Sequence, residues 1–259
     1  MATLKLTIEY DGTGYAGWQR QPNQPTVQAA VEQAIQRITQ THIPVIGAGR
    51  TDAGVHALGQ VASFRTDKIM STKEWVPALN ALLPPDISVL SAERMADDFH
   101  ARYSARGKLY EYRILNRMER SALRHNRALH IRKPLDLAAM REAASLLVGR
   151  HDFSSFQGSP TDNENPICDV RRLELKQEQA LIRIEAQADR FLKQMVRAIV
   201  GTLVEVGQGK RPPKAMKEIL EARDRRAAGP TAPAHGLYLV RVDYQSELGD
   251  GRSSVSTPP

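Results

Sequence analysis

The sequence predicts an α+β fold made of two successive β-α-β-β-α-β halves. Three observations carry that expectation. Leu4, Leu6, Ile8 and Tyr10 alternate with Lys5, Thr7 and Glu9, the period of a half-buried strand. Val27, Ala30, Val31, Ala34, Ile35 and Ile38 recur at the spacing of one helix face. The same succession of strand-like and helix-like segments then restarts near Lys108.

The first strand, Leu4 to Tyr10, runs into a glycine-rich loop, Asp11 to Gln19. Thr26 is placed to cap the first helix. Val45-Ile46 and Val61-Ala62 bracket the stretch Gly47 to Gln60, which holds four glycines and reads as a tight loop between two strands. The second of these strands is expected over Gln60 to Arg65. Ser71-Thr72 open a helix through Trp75, Leu79 and Leu82, stopped by Pro84-Pro85. Ile87 to Leu90 begins the last strand of a first, ferredoxin-like half. In the second half, Lys108 to Leu115 is a strand with Tyr110, Tyr112 and Ile114 on one face. An arginine-rich linker follows, Arg117 to His130. Asp136 caps a helix with the face Leu137, Met140, Ala144 and Leu147, closed by Gly149. His151 to Pro166 reads as a loop, and Val170 to Lys176 and Leu181 to Ala188 as strands. Leu192, Met195, Val196, Ile199, Val200 and Leu203 make the most apolar helix; a surface helix follows Pro212-Pro213, and Leu237 to Tyr244 closes the half. The expected division is 1–105, 106–245 and a disordered tail, 246–259. A cleft between the two halves is a natural ligand site, and since no long linker separates them they are expected to form one continuous unit.

Composition narrows the function. The chain has 259 residues, of which 41% are hydrophobic and 25% charged, as in ordinary globular proteins. It holds no apolar run of about 18 residues for a membrane span, and residues 1–10 lack the apolar core of a secretory signal. The single cysteine, Cys168, excludes an internal disulfide and a multi-cysteine metal site, and fits a reducing cytoplasm. The net charge is +7. Between Arg94 and Lys133 stand eleven Arg and Lys against four Asp and Glu, and the rest of the chain is neutral. Phe99, Tyr103, Tyr110 and Tyr112 interleave with those charges. A solvated basic face would have this composition, and so would a surface for RNA or DNA.

The seven histidines form no ligand pattern with a carboxylate, so a structural zinc site is not expected. Gly47-Ala48-Gly49 opens like a dinucleotide fingerprint, but Gly54 comes too late for its third glycine. The loop after the first strand lacks the spacing of a phosphate-binding loop. That leaves Asp52. Its carboxylate can cap a turn, or it can act as nucleophile or base, with Arg50 two residues before it favouring the ionised form. Spacing alone leaves both readings open. Tyr110 and Tyr112 can pack a strand face or stack on a base. Arg197 borders the buried stripe of the most apolar helix, so it either snorkels to solvent or pairs with a buried carboxylate, Asp52 being the partner to test.

Taken together, these pieces resemble the tRNA pseudouridine synthase A family. The resemblance runs from Leu4 to about Val242. Its motifs are Tyr10-Asp11-Gly12-Thr13 with Gly17-Trp18-Gln19; Thr26-Val27-Gln28; Gly49-Arg50-Thr51-Asp52-Ala53-Gly54-Val55-His56-Ala57; Phe99-His100-Ala101-Arg102; Lys108 through Tyr110 and Tyr112; His151-Asp152-Phe153; Phe191-Leu192 through Met195-Val196-Arg197; and Ala232 to Leu237. It implies two ferredoxin-like lobes in a continuous, largely antiparallel sheet, with helices on one side and a central active-site cleft. It implies a cytoplasmic homodimer that isomerises uridine to pseudouridine at positions 38, 39 and 40 in the anticodon stem-loop of tRNA, without cofactor or metal. By position, Asp52 would be the catalytic aspartate, Arg50 a neighbour on the backbone side of a flipped nucleotide, Tyr110 the ring on the base, and Arg197 the ion-pair partner of Asp52. Charge alone adds Arg102, Arg117, Arg120, Arg124 and Arg127 as contacts to the RNA backbone.

Overall fold

The computed structural model describes residues 1–159 and 165–244; the expected tail, 246–259, and part of the expected loop at 151–166 lie outside the described residues. Ten strands make one sheet: β1 Ala2–Tyr10, β2 Ile46–Gly47, β3 His56–Thr66, β4 Ile87–Met95, β5 Gly107–Asn116, β6 Leu129–Ile131, β7 Gly149–Asp152, β8 Ile167–Glu178, β9 Leu181–Ala188 and β10 Leu237–Asp243. Five α-helices accompany them: α1 Val27–Thr39, α2 Thr72–Asn80, α3 Leu137–Ser145, α4 Met195–Gly207 and α5 Ala215–Ala222. The fold is α+β, as expected. The strand order is β4-β1-β3-β10-β5-β9-β8-β7, with β2 on β3 and β6 on β5. Pairing is antiparallel except at β3–β10 and β5–β6. The join between the two halves is the parallel contact of β3 with β10, where Tyr238 faces His56 and Leu239 faces Ala57.

Local chemistry explains the helices. The Thr26 hydroxyl accepts from Ala29 N–H and starts α1. Val27, Val31, Ala34 and Ile35 are buried on its inner face, worth about 1.5–3 kcal/mol for each large aliphatic side chain. The α4 helix is apolar almost all round, and ten of its residues are buried, as befits a central helix. Its charged residues are Arg197 and Glu205, the latter paired with Arg211 at 2.6 Å. One hydrophobic cluster joins both halves, from Leu4 and Trp18 through Tyr110 and Ile199 to Leu239. The other face of β5, β8 and β9 carries ion pairs, among them Arg113–Glu111 at 2.6 Å and Arg172–Glu185 at 2.8 Å.

Several elements differ from the sequence expectation. β3 begins at His56 rather than Gln60, because its first residues pair with β10, a partner almost two hundred residues away. The expected linker 117–130 ends in β6, held parallel to β5. Residues 151–156 are a strand end and a short 3-10 turn rather than open loop, since β7 pairs with β8. α3 stops at Ser145; Gly149 instead opens β7 with φ +112°. α4 begins at Met195, after Gln194 in a left-handed conformation, so Leu192 lies ahead of it. α2 ends at Asn80, short of Leu82.

The backbone of α4 lies against the segment that leads into β10. A Cβ on Gly201 would stand 1.7 Å from the Pro230 carbonyl oxygen. Gly201→Ala should therefore cost about 3 kcal/mol or more, the upper end of overpacking. Urea unfolding should show a lower midpoint with an unchanged m-value. A midpoint like the wild type would mean that the 230–232 segment yields without cost.

Candidate active site

Asp52 sits in the loop between β2 and β3, and that loop is pinned at almost every residue. Trp18 N–H donates to the Thr51 carbonyl at 3.1 Å, Gly54 N–H to the Tyr15 carbonyl at 3.3 Å, and Val55 N–H to the Asp52 carbonyl at 3.1 Å. The Thr51 and Tyr10 hydroxyls share a hydrogen bond of 2.8 Å. Gln60, fully buried, donates to the Gly49 carbonyl at 2.8 Å. Close approach of the first loop requires Gly17: it holds φ +99°, and a Cβ there would lie 2.5 Å from the Thr51 carbonyl oxygen.

The second half supplies the counter-charge. Arg197, in the first turn of α4, donates through Nη1 to Asp52 Oδ2 at 2.7 Å and through Nε to the Ala232 carbonyl at 2.7 Å. Ala232 N–H returns a bond to the Arg197 carbonyl at 3.0 Å. The next residue, Pro233, accepts from the Tyr112 hydroxyl at 2.8 Å. Arg197 is 14% exposed at its side chain and Asp52 32%. The second carboxylate oxygen, Oδ1, has no hydrogen bond among the described residues. Of the two sequence readings for Arg197, the buried pair is the one the structure holds. Arg50 does not take that place: its side chain is exposed and its Nε donates to Gln19 Oε1 at 3.2 Å.

Tyr110 lies on β5 between Leu239 and Ala186, buried, with its ring edge-on to Phe191 at 5.1 Å. Burial, reinforced by Tyr10 and by the charge of Asp52, raises its pKa well above the ordinary 10.0, so the phenol stays protonated. Its hydroxyl has no hydrogen-bond partner among the described residues, unlike that of Tyr112. Tyr112 is thus part of the support under Pro233. Burial pushes Tyr10 up to about 12, with the Thr51 and Gln60 bonds opposing it.

The basic residues part company. Arg102, Arg120 and Arg124 are exposed. Arg117 holds its own loop, donating to the carbonyls of Glu119 and Arg120 at 2.9 and 3.3 Å. Arg127 reaches back to the first half and clasps Asp11 at 2.6 and 3.0 Å.

His56 is a residue that sequence reasoning left without a role. Its ring is buried, stacked on Tyr238 at 4.7 Å, while Arg113 covers Tyr238 at 3.8 Å. Nε2 lies 2.9 Å from the Asn126 carbonyl and 3.2 Å from that of His235, and Gly12 N–H donates to Nδ1 at 3.1 Å. Asp11 Oδ1 is also 3.0 Å from Nδ1. The two neighbours at Nδ1 compete, one needing a lone pair and the other a proton. Burial, the largest influence, lowers the His56 pKa; Asp11 opposes it and Arg127 adds to it. The neutral ring therefore accepts from Gly12 and donates from Nε2, tying three distant segments to the end of the Asp52 loop. Tyr10, Asp11 and Gln60 were likewise given no role; the first two and Ala232 stood only inside motifs, and the backbone part of Ala232 leaves no signal in its side chain.

A half-open carboxylate with one oxygen held and one free, an arginine fixed behind it, and a neutral phenol beside it make an acid–base or nucleophilic site of the aspartate type. Among the described residues no cluster of three or more His, Cys, Asp or Glu could hold a metal ion. The family description "tRNA pseudouridine synthase" matches residues 6–104 and 143–245. The chain is 49% identical to tRNA pseudouridine synthase A of Afipia carboxidovorans, over 94% of this chain and all of that one. It is 45% identical to that of Myxococcus xanthus, over 95% and 93% of the two chains, and 46% identical to that of Nitrosomonas europaea, over 98% and 94%. The chain belongs to the tRNA pseudouridine synthase family, and is an isomerase that acts in RNA modification.

Two expectations follow from this geometry. Arg197→Met removes the charge behind Asp52 and frees the carboxylate to swing. Turnover should fall roughly 100-fold or more through misplacement alone, with tRNA affinity within about tenfold because phosphate contacts dominate it. Equal losses in both would make Arg197 an RNA contact instead. The second concerns pH. Because the folded His56 pKa is below 6.5, its contribution to stability is full above 6.5 and is lost as pH falls through the lowered value. His235, also lowered by burial, acts in the same direction. Thermal midpoints should therefore drop on acidification below 6.5, and His56→Gln should be less stable at neutral pH yet show a shallower acid slope. An unchanged slope would mean that His56 does not titrate there.

Proposed function

We propose that this enzyme isomerises uridine to pseudouridine at positions 38, 39 and 40 in the anticodon stem-loop of tRNAs, with Asp52 acting on a flipped-out nucleotide. The observation that carries the reading is Asp52 itself: one oxygen is fixed by Arg197 at 2.7 Å and the other is unengaged. Isomerisation needs the C1′–N1 bond to break, the uracil to turn, and C5 to bond to C1′ with loss of the C5 proton and protonation of N1. Nothing is hydrolysed and no electrons leave. Asp52 either attacks C1′ or removes the 2′ proton; both routes use the free oxygen. Tyr110 stacks on the uracil, and its protonated phenol takes up the C5 proton as it passes its own proton to N1.

Flipping a stem uridine costs a few kcal/mol of stacking. Backbone contacts offset it, from Arg50 beside the flipped nucleotide and from Arg102, Arg117, Arg120 and Arg124 on the basic surface. Arg127 belongs to that surface but is committed to Asp11, so its part is to anchor the arginine-rich segment. We also read the chain as two ferredoxin-like lobes, 1–105 and 106–245, with helices on one side and the cleft between them. The pairings β4-β1-β3-β2 and β10-β5-β9-β8 support that division, since both have the same order of strands. A homodimer that holds tRNA across both subunits, in the cytoplasm, follows from the family resemblance. Among the described residues no helix is long and apolar enough to cross a membrane.

Asp52→Ala should abolish pseudouridine formation in unmodified tRNA while affinity stays within about tenfold. The wild type should form product in the presence of EDTA. Near-normal turnover by the variant would sink the role of Asp52. Tight binding without product by the wild type would leave a non-catalytic RNA-binding protein.

A further inference from the structure

We infer that Lys108, with Arg102 beside it, binds the phosphate next to the target nucleotide and is a substrate-binding residue of the cleft. This rests on the RNA reading above and adds a contact to it. Lys108 and Tyr110 stand two residues apart on one face of β5, opposite Ala188 and Ala186 of β9. Two residues of strand span about 7 Å, the scale of the step from a base to its own phosphate. The Lys108 side chain extends toward the catalytic loop. A Cβ on Gly49 would lie 2.9 Å from Lys108 Cε and 3.8 Å from Nζ. Gly49 stands three residues before Asp52, so the ammonium is at the edge of the catalytic loop.

The electrostatics ask for an anion. Lys108 is mostly enclosed, yet it has no hydrogen bond and no carboxylate within 4.0 Å among the described residues. Burial lowers its pKa, and the Arg102 charge lowers it further; Asp189 offsets only part of this. Two cations close together, only partly offset by Asp189, cost stability, and a methionine would fill the same space without that cost. Arg102 is also fixed at its root: Ala101 donates its N–H to Ser63 Oγ at 3.2 Å and accepts from the Tyr244 hydroxyl at 2.7 Å. A phosphodiester supplies the missing charge, and its place beside Tyr110 suits the nucleotide whose base stacks there.

The test measures affinity of wild type, Lys108→Met and Lys108→Arg for an unmodified tRNA transcript over a series of salt concentrations, with single-turnover rates at saturating enzyme. Lys108→Met should weaken binding roughly tenfold and reduce the log–log salt slope by about 0.7–0.9, the value of one phosphate contact. Its loss should fall on affinity more than on the saturated rate, and Lys108→Arg should keep most of the slope. A neutral methylphosphonate at one linkage flanking the target uridine should weaken the wild type but not further weaken Lys108→Met. An unchanged slope, or equal sensitivity of both proteins at every linkage, overturns the assignment and leaves Lys108 as packing for Gly49. A loss confined to the saturated rate overturns it too. Because the slope needs no turnover, wild-type binding without product would count against the isomerase reading alone; no wild-type binding would overturn both.

Discussion

The interaction on which the rest depends is the bond from Arg197 to Asp52. A carboxylate one-third open and an arginine almost closed off are costly to desolvate unless they meet. They meet because Arg197 is held from behind by Ala232 at two points, through its side chain and through its own carbonyl. Ala232 is held in turn, since Pro233 accepts from Tyr112 and the chain at Pro230 presses on Gly201. The aspartate comes from the first half of the chain and every support of the arginine from the second. The site therefore exists only when the two halves are docked, and the parallel pairing of β3 with β10 is the docking contact nearest to it.

His56 does for the other side of the loop what Ala232 does for Arg197. It ends the Asp52 loop and begins β3, and its ring reaches Gly12, Asn126 and His235. Asn126 belongs to the arginine-rich segment, whose next residue clasps Asp11. The basic segment is thereby tied to the Asp52 loop through one imidazole and one ion pair. A charge excess that sequence alone shows as a stripe is, in three dimensions, divided. Some arginines hold structure, and others, Arg102, Arg120 and Arg124, face solvent where a polyanion can reach them.

How much was legible follows from the range of each interaction. The helix face of α1, its Thr26 cap and the alternation of β1 are local, and they were read correctly. Arg197 was partly legible: a charge bordering the buried stripe of an apolar helix either snorkels or pairs, and Asp52 was the partner to test. The start of β3 was not, since only β10 makes those residues a strand. β6 and β7 were missed for the same reason: short segments of weak pattern become strands by pairing with β5 and β8. Arg50, expected to favour the ionised form of Asp52 from two residues away, makes no ion pair with it among the described residues. The loop turns Arg50 outward to Gln19 and brings in an arginine from 145 residues away.

That inversion has a chemical sense. An arginine two residues from the aspartate, on the same loop, is anchored to the same backbone and could not fix its direction from outside. An arginine on the most buried helix, braced by backbone, sets one carboxylate oxygen against a rigid wall. Only the second oxygen is then left unengaged among the described residues, with the phenol of Tyr110 near enough to feel the charge of Asp52. Arg50 is instead turned outward to Gln19. The fold thus separates the arginine that orients the aspartate, held on a buried helix, from the arginine beside it in sequence, which faces solvent.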